Sequence, residues 1–116
     1  MAQIAHALIS SEDVHGTNVY SPDATKIGEV DHLVIDKHSG RVTYAVMTFG
    51  GFLGLGQSLY PLPWGALRYN TELGGYQTGV TEAQLQNAPE YNTDALTNRA
   101  WETQVHSNYG VRPYWQ

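Results

Sequence analysis

The chain has 116 residues, no cysteine, 41% hydrophobic and 15% charged residues, and a formal net charge of −5. That length allows one domain with a modest appendage, and the apolar fraction suits a folded chain rather than a disordered one. The acidic balance and the scattering of Lys26, Lys37, Arg41, Arg68, Arg99 and Arg112 weigh against direct nucleic-acid binding, and the missing cysteine excludes disulfides, thiolate zinc sites and cysteine nucleophiles.

The opening MAQIAHALISSEDV lacks a basic segment followed by a sustained apolar one, so no signal peptide is expected. No apolar run approaches the roughly 20 residues of a membrane-spanning helix. The expected location is the cytoplasm, without membrane insertion. Ser10 lies three residues before Asp13, and Gly16 can take a positive φ, so 10–16 reads as one capped turn. A short strand over 17–20 and a Pro22-containing turn over 21–26 follow.

Residues 27–36, IGEVDHLVID, read as a long strand with a fault in its phase. Val30 is on even numbering while Leu33 and Ile35 are on odd, and a strict period of two cannot point all three inward. A bulge near Asp31-His32 reconciles them and lets a small sheet curl. DKHSG (36–40) predicts a hairpin turn with Gly40 left-handed. The strand after it, RVTYAVMTF (41–49), is apolar on both faces, with Val42, Tyr44 and Val46 on one and Ala45, Met47 and Phe49 on the other. Such a strand needs a second covering layer, either a helix of this chain or another subunit.

The stretch from Gly51 to Ser58 misses a phosphate-binding loop by one residue, since Gln57 stands where the lysine belongs. Pro61 and Pro63 forbid a helix starting at Ser58, so a nucleotide site is not expected. The glycines suit a steep reversal between barrel strands. They leave Phe52, Leu53 and Leu55 to fold back over a barrel end or to form an interaction patch. SLYPLP (58–63) then reads as an edge or rim strand, with both proline nitrogens facing away from the partner strand. Residues 64–69 are expected to continue it, 70–75 to turn, and 76–80 to form a last strand.

Thr81-Glu-Ala-Gln84 is a capping box opening a short helix that ends before Pro89. Asp94 is the expected N-cap of a second helix, Ala95 to about Ser107, with Gly110 past its end. Leu96, Ala100, Trp101 and Val105 would form its apolar face. The aromatic tail is expected to pack on the body or on a second subunit.

Five histidines (His6, His15, His32, His38, His106) form no ligand spacing, and no serine lies in a nucleophile elbow. Catalytic residues, metal and cofactor are therefore all expected to be none. Asp36, His32 and His38 are the polar groups that a small-ligand- or metal-binding alternative would use.

Several elements resemble the PRC-barrel domain: Gly16-x-x-Val19-Tyr20, Ile27-Gly28-Glu29-Val30, Val34-Ile35-Asp36, Ser39-Gly40-Arg41-Val42, Phe49-Gly50-Gly51-Phe52 and Pro61-x-Pro63-Trp64. The resemblance runs from about Leu8 to about Thr78. It implies a mostly β chain, a small, strongly bent antiparallel β-barrel of about six strands over 1–80. One or two short helices and an aromatic extension over 81–116 complete it. It also implies a non-enzymatic interaction or assembly adaptor. The two-faced strand 41–49 and the aromatic tail add the expectation of a homodimer, with Phe52, Leu53 and Leu55 contacting either a second copy or a protein client.

Overall fold

Six short strands rich in β-branched and aromatic residues build one curled sheet, and the chain after it folds into helices. The computed structural model describes residues 7–49 and 58–116. A single helical turn, α1 (Ser11–Val14), is capped by the Ser10 hydroxyl, which accepts from the Glu12 N–H. The strands are β1 (Asn18–Tyr20), β2 (Lys26–Ile35), β3 (Val42–Phe49), β4 (Ser58–Pro63), β5 (Leu67–Asn70) and β6 (Gly75–Thr78). Their spatial order is β4-β3-β2-β1-β6-β5. Every pair is antiparallel except β1–β6, which is parallel, so the strongly bent sheet is mixed.

The connection from β4 to β5 forces the curl. These strands lie at opposite edges of the sheet, yet only the 3-10 turn Trp64–Ala66 separates them. That link spans roughly 14 Å even fully extended, whereas the outer strands of a flat six-stranded sheet lie roughly 24 Å apart. The edges must therefore swing toward each other. Residues 64–69 do not continue the rim strand as expected. The Leu67 N–H bonds the Trp64 carbonyl, and the resulting tight turn carries the chain to the other edge.

Two bulges shape the long hairpin. Val30 pairs with Met47 and His32 with Val46, so Asp31 is the extra residue, at the place the phase fault predicts. Its freed carbonyl accepts from His15 Nδ1 at 2.7 Å. Further along, Val34 pairs with Tyr44 and Ile35 with Val42, leaving Thr43 as the extra residue on β3. The Thr43 hydroxyl donates to the Val34 carbonyl at 2.9 Å. This second bulge turns the strand end outward, so Ile35 is exposed instead of pointing inward with Val30 and Leu33. Close packing of β2 on β3 also fixes Gly28, since a Cβ there would overlap the Thr48 carbonyl and the Met47 methyl.

β4 is an edge strand, as its prolines require. The Tyr91 N–H bonds the Leu59 carbonyl at 2.8 Å, which places the backbone polar groups of Leu59 on the side away from β3. Pro61 and Pro63, two and four residues on, share that orientation and lose no ladder bond. A strand rather than a helix thus begins at Ser58.

The C-terminal part departs from expectation in one respect. The capping box forms as read, with Thr81 and Gln84 bonding reciprocally ahead of α2 (Glu82–Asn87). The single helix expected from Ala95 is instead a 3-10 turn, Thr93–Thr97, followed by α3 (Arg99–Tyr109). Asparagines, not Asp94, provide the caps: Asn92 accepts from the Ala95 N–H and Asn98 from the Trp101 N–H. The extended backbone of Asn98 separates the two segments. The buried face of α3 is consequently Val105, His106 and Tyr109, with Trp101 half-buried, while Leu96 and Ala100 are exposed. Val105 and Tyr109 join Val19, Val30, Met47 and Leu62 in one core cluster. The second layer over β3 is therefore a helix of this chain.

Candidate functional site

Between the end of the β2–β3 hairpin and the C-terminal segment lies a cleft of about 620 Å³. Val34, Ile35 and the turn residues Asp36, Lys37 and His38 form one wall. Leu96 and Thr97 of the 3-10 turn, Arg99 and Trp101 of α3, and Tyr114 and Trp115 of the tail form the other. Tyr44 and Glu102 meet at its base.

The second bulge and the Asn98 break create this arrangement. The bulge presents Ile35 outward, and the break lets Leu96 project from a turn rather than from the helix face. Thr43 and Tyr44 then lie under the incoming helix. The Tyr44 ring is packed edge-on by Trp101 at 5.8 Å and Tyr114 at 5.9 Å between centroids. Trp101 is itself anchored, its Nε1–H donating to the Glu90 carbonyl at 3.0 Å.

A chain of polar contacts runs beneath the rings. The Tyr44 hydroxyl donates to Glu102 Oε1 at 2.8 Å and lies 2.9 Å from His106 Nε2. The Tyr114 hydroxyl donates to the same Glu102 oxygen at 2.7 Å. His106 Nδ1 lies 3.1 Å from the Val111 carbonyl, which only accepts, so Nδ1 carries the hydrogen and Nε2 of the neutral ring is an acceptor. Arg99 closes the outer side, its Nε 3.7 Å from Glu102 Oε2 and its guanidinium carbon 3.8 Å above the Trp115 ring.

The environment keeps Tyr44, Tyr114 and His106 in their neutral forms. Burial, reinforced by the bond to Glu102, drives the Tyr44 hydroxyl far above the usual tyrosine range. The same causes push Tyr114 up to about 12. Burial holds His106 below the ordinary histidine range, against the opposing pull of the Val111 carbonyl and the Glu102 charge. The arrangement can accept a hydrogen-bonding aromatic group and bury apolar surface.

The expected interaction patch, Phe52, Leu53 and Leu55, lies outside the described residues. Of the polar groups named for a ligand or metal, Asp36 and His38 stand on the cleft rim, but Asp36 is engaged in its own turn. It accepts from the His38 N–H at 3.1 Å and the Ser39 hydroxyl at 3.0 Å, bonds that hold its carboxyl below the usual range. His32 bonds the Asp31 carboxylate at 2.8 Å and sits edge-on to Tyr91. Among the described residues, no group of three His, Asp or Glu side chains is placed to hold a metal ion. Among them, too, no helix is long and apolar enough to cross a membrane.

Sequence reasoning did not single out Tyr44, Glu102 and His106 as a group. A partial signal existed: Glu102 and His106 are four residues apart, hence on one helix face, and Tyr44 was known to need a cover.

The chain matches the PRC-barrel domain family over residues 7–85. It is also 27% identical over 79 residues to a protein of Deinococcus radiodurans described as uncharacterized, an alignment covering 68% of this chain and 28% of that protein. The chain thus spans well under a third of the length of that relative.

Proposed function

The chain belongs to the PRC-barrel domain family, and from that membership we propose that it is a non-enzymatic interaction adaptor whose cleft receives a segment of a partner protein. One observation carries this reading. Four of the seven large exposed hydrophobic side chains among the described residues, Ile35 (52% exposed), Leu96 (50%), Tyr114 (43%) and Trp115 (36%), line this one cleft. Isolated exposed apolar residues are ordinary, but their concentration around a concavity is what a recognition surface requires. The aromatic and arginine content matches the residue types that dominate binding energy at interfaces. The polar groups at its base, Tyr44, Tyr114, Glu102 and His106, are bonded to one another and tie the hairpin, the helix and the tail together around it.

Of the two features that suggest a second subunit, the apolar second face of β3 is covered by α3, whereas Tyr114 and Trp115 of the tail pack on the chain but stay partly exposed. Self-association is therefore one form of the proposal, with the cleft as the shared surface. Light scattering at tens of micromolar would then give a dimer mass that Leu96→Asp reduces to that of a monomer.

Selection from a displayed peptide library tests the main reading. Enriched peptides are expected to carry large apolar or aromatic residues and to lose at least about tenfold in affinity for Leu96→Asp, since burying a charge in an apolar contact is costly. The Phe52→Ser/Leu53→Ser variant is the comparison. Loss of binding there, with Leu96→Asp unaffected, would move the contact surface to the glycine loop and overturn the cleft.

A further inference from the structure

Tyr114 and Trp115, which form part of one cleft wall, rest on two distinct places beneath them. The chain leaves α3 through Gly110, whose φ of 68° ends the helix. The Gly110 N–H reaches the Ser107 carbonyl at 3.3 Å and the Val111 N–H the His106 carbonyl at 3.1 Å, which folds the tail back along the helix. A turn closed by the Gln116 N–H on the Pro113 carbonyl then presents two adjacent rings. The first place takes a phenol, with Glu102 accepting its hydrogen and the Tyr44 ring meeting it edge-on. The second takes an indole, between the Arg99 guanidinium and the His106 ring, whose centroid is 5.4 Å away.

The tail is fastened lightly. Beyond Val111 its backbone makes no hydrogen bond to the backbone of the rest of the described chain, and Tyr114 and Trp115 each keep more than a third of their surface exposed. The contacts that hold them, one hydroxyl bond, cation–π contacts with Arg99 and ring contacts with Tyr44 and His106, are ones another polypeptide could reproduce.

We propose that residues 112–116 are a displaceable part of the cleft wall, covering two places that a partner can take. Its partner is then a peptide segment bearing a phenol followed by a second aromatic ring, which takes the same two places when the tail lifts. This rests on the reading above that the cleft receives a partner. The tethered tail competes at an effective concentration of order millimolar, so it would restrain binding to partners that match both places.

The test uses the full-length chain carrying Tyr114→Ser and Trp115→Ser, with circular dichroism confirming its fold. The probe is the synthetic peptide Val-Arg-Pro-Tyr-Trp-Gln, titrated calorimetrically. The peptide is expected to bind this variant at least about tenfold more tightly than wild type, because the internal competitor is gone. Replacing the peptide's tyrosine by phenylalanine, or adding Glu102→Gln to the chain, should each weaken binding severalfold. If the double variant does not fold, Trp115→Ser alone provides the second arm, since it removes the tail's own hold on the indole place, leaves that place intact for the peptide and should also raise peptide affinity over wild type. Equal affinity for cleared and wild-type chains, or no binding to either, overturns the proposal. If library-selected peptides occupy the cleft while the tail peptide does not, this proposal fails and the interaction reading stands. If the tail peptide binds the cleared cleft but no selected peptide does, the interaction reading fails instead.

Discussion

Tyr44→Phe removes a single oxygen and leaves the ring packing of the cleft base in place. That oxygen lies between Glu102 Oε1 and His106 Nε2, at 2.8 and 2.9 Å, and carries one proton for two acceptors. Only one of the two contacts can therefore count as a full hydrogen bond in which Tyr44 donates. A bond to a charged acceptor contributes about 1.5–3 kcal/mol. Glu102 keeps the Tyr114 hydroxyl and Arg99, which softens its loss. His106, only 3% exposed, keeps its Val111 bond but loses its Nε2 partner. The expected destabilisation is about 2 kcal/mol. For a domain near 100 residues this lowers Tm by about 8 °C. Urea denaturation followed by circular dichroism gives the free energy, and a thermal scan the Tm. Tyr114→Phe, which removes a bond to the same oxygen from the exposed side, should cost only about 0.5 kcal/mol. A loss below about 0.5 kcal/mol for Tyr44→Phe would refute the account of the polar chain, since a buried, charge-accepting bond cannot be that cheap.

The remaining expectations concern the framework that holds the cleft. Gly28→Ala drives a Cβ into the Thr48 carbonyl and the Met47 methyl, so it should cost about 3 kcal/mol or more by chemical denaturation, and a near-neutral result would contradict the close β2–β3 approach. Tyr109→Phe should stabilise by about 1 kcal/mol, because the Tyr109 hydroxyl is buried without a partner among the described residues; a destabilised variant would reveal one. Burial lowers the His106 pKa in the folded chain. Its contribution to stability is therefore present above the unfolded value of about 6.5 and declines as pH falls below it. An NMR titration of the His106 ring should give a midpoint below about 6.5, and a higher midpoint would reverse the sign.

Much of the framework was legible because its causes are local. The break in phase between Val30 and Leu33 located the bulge at Asp31, the spacing of Thr81 and Gln84 gave the capping box, and Gly40 and Gly110 marked left-handed turns. The alternating prolines of β4 announced a strand with nothing to donate on its outer side. The two apolar faces of β3 announced that something must cover it. What covers it was not legible, because Tyr44 meets Glu102 and His106 across 58 and 62 residues of sequence, and no local rule connects them. The second helix starts later than the Asp94 signal suggests because Asn98, in extended backbone, caps α3 through the Trp101 N–H, whereas Asp94 lies inside the 3-10 turn that Asn92 caps. Phe52, Leu53 and Leu55 stand together in one stretch of sequence, whereas the cleft is assembled from short pieces of five separate segments.

The three tryptophans allow a direct test of the central claim that the cleft is the partner site. Trp101 and Trp115 line it, whereas Trp64 sits in the turn between β4 and β5, packed against Tyr76. A ¹H–¹⁵N NMR titration of the full-length chain with a library-selected peptide reads all three indole N–H signals at once. The account predicts that the Trp101 and Trp115 signals shift while that of Trp64 stays in place. Movement of Trp64 with the other two unchanged would put the partner elsewhere on the barrel and contradict the account.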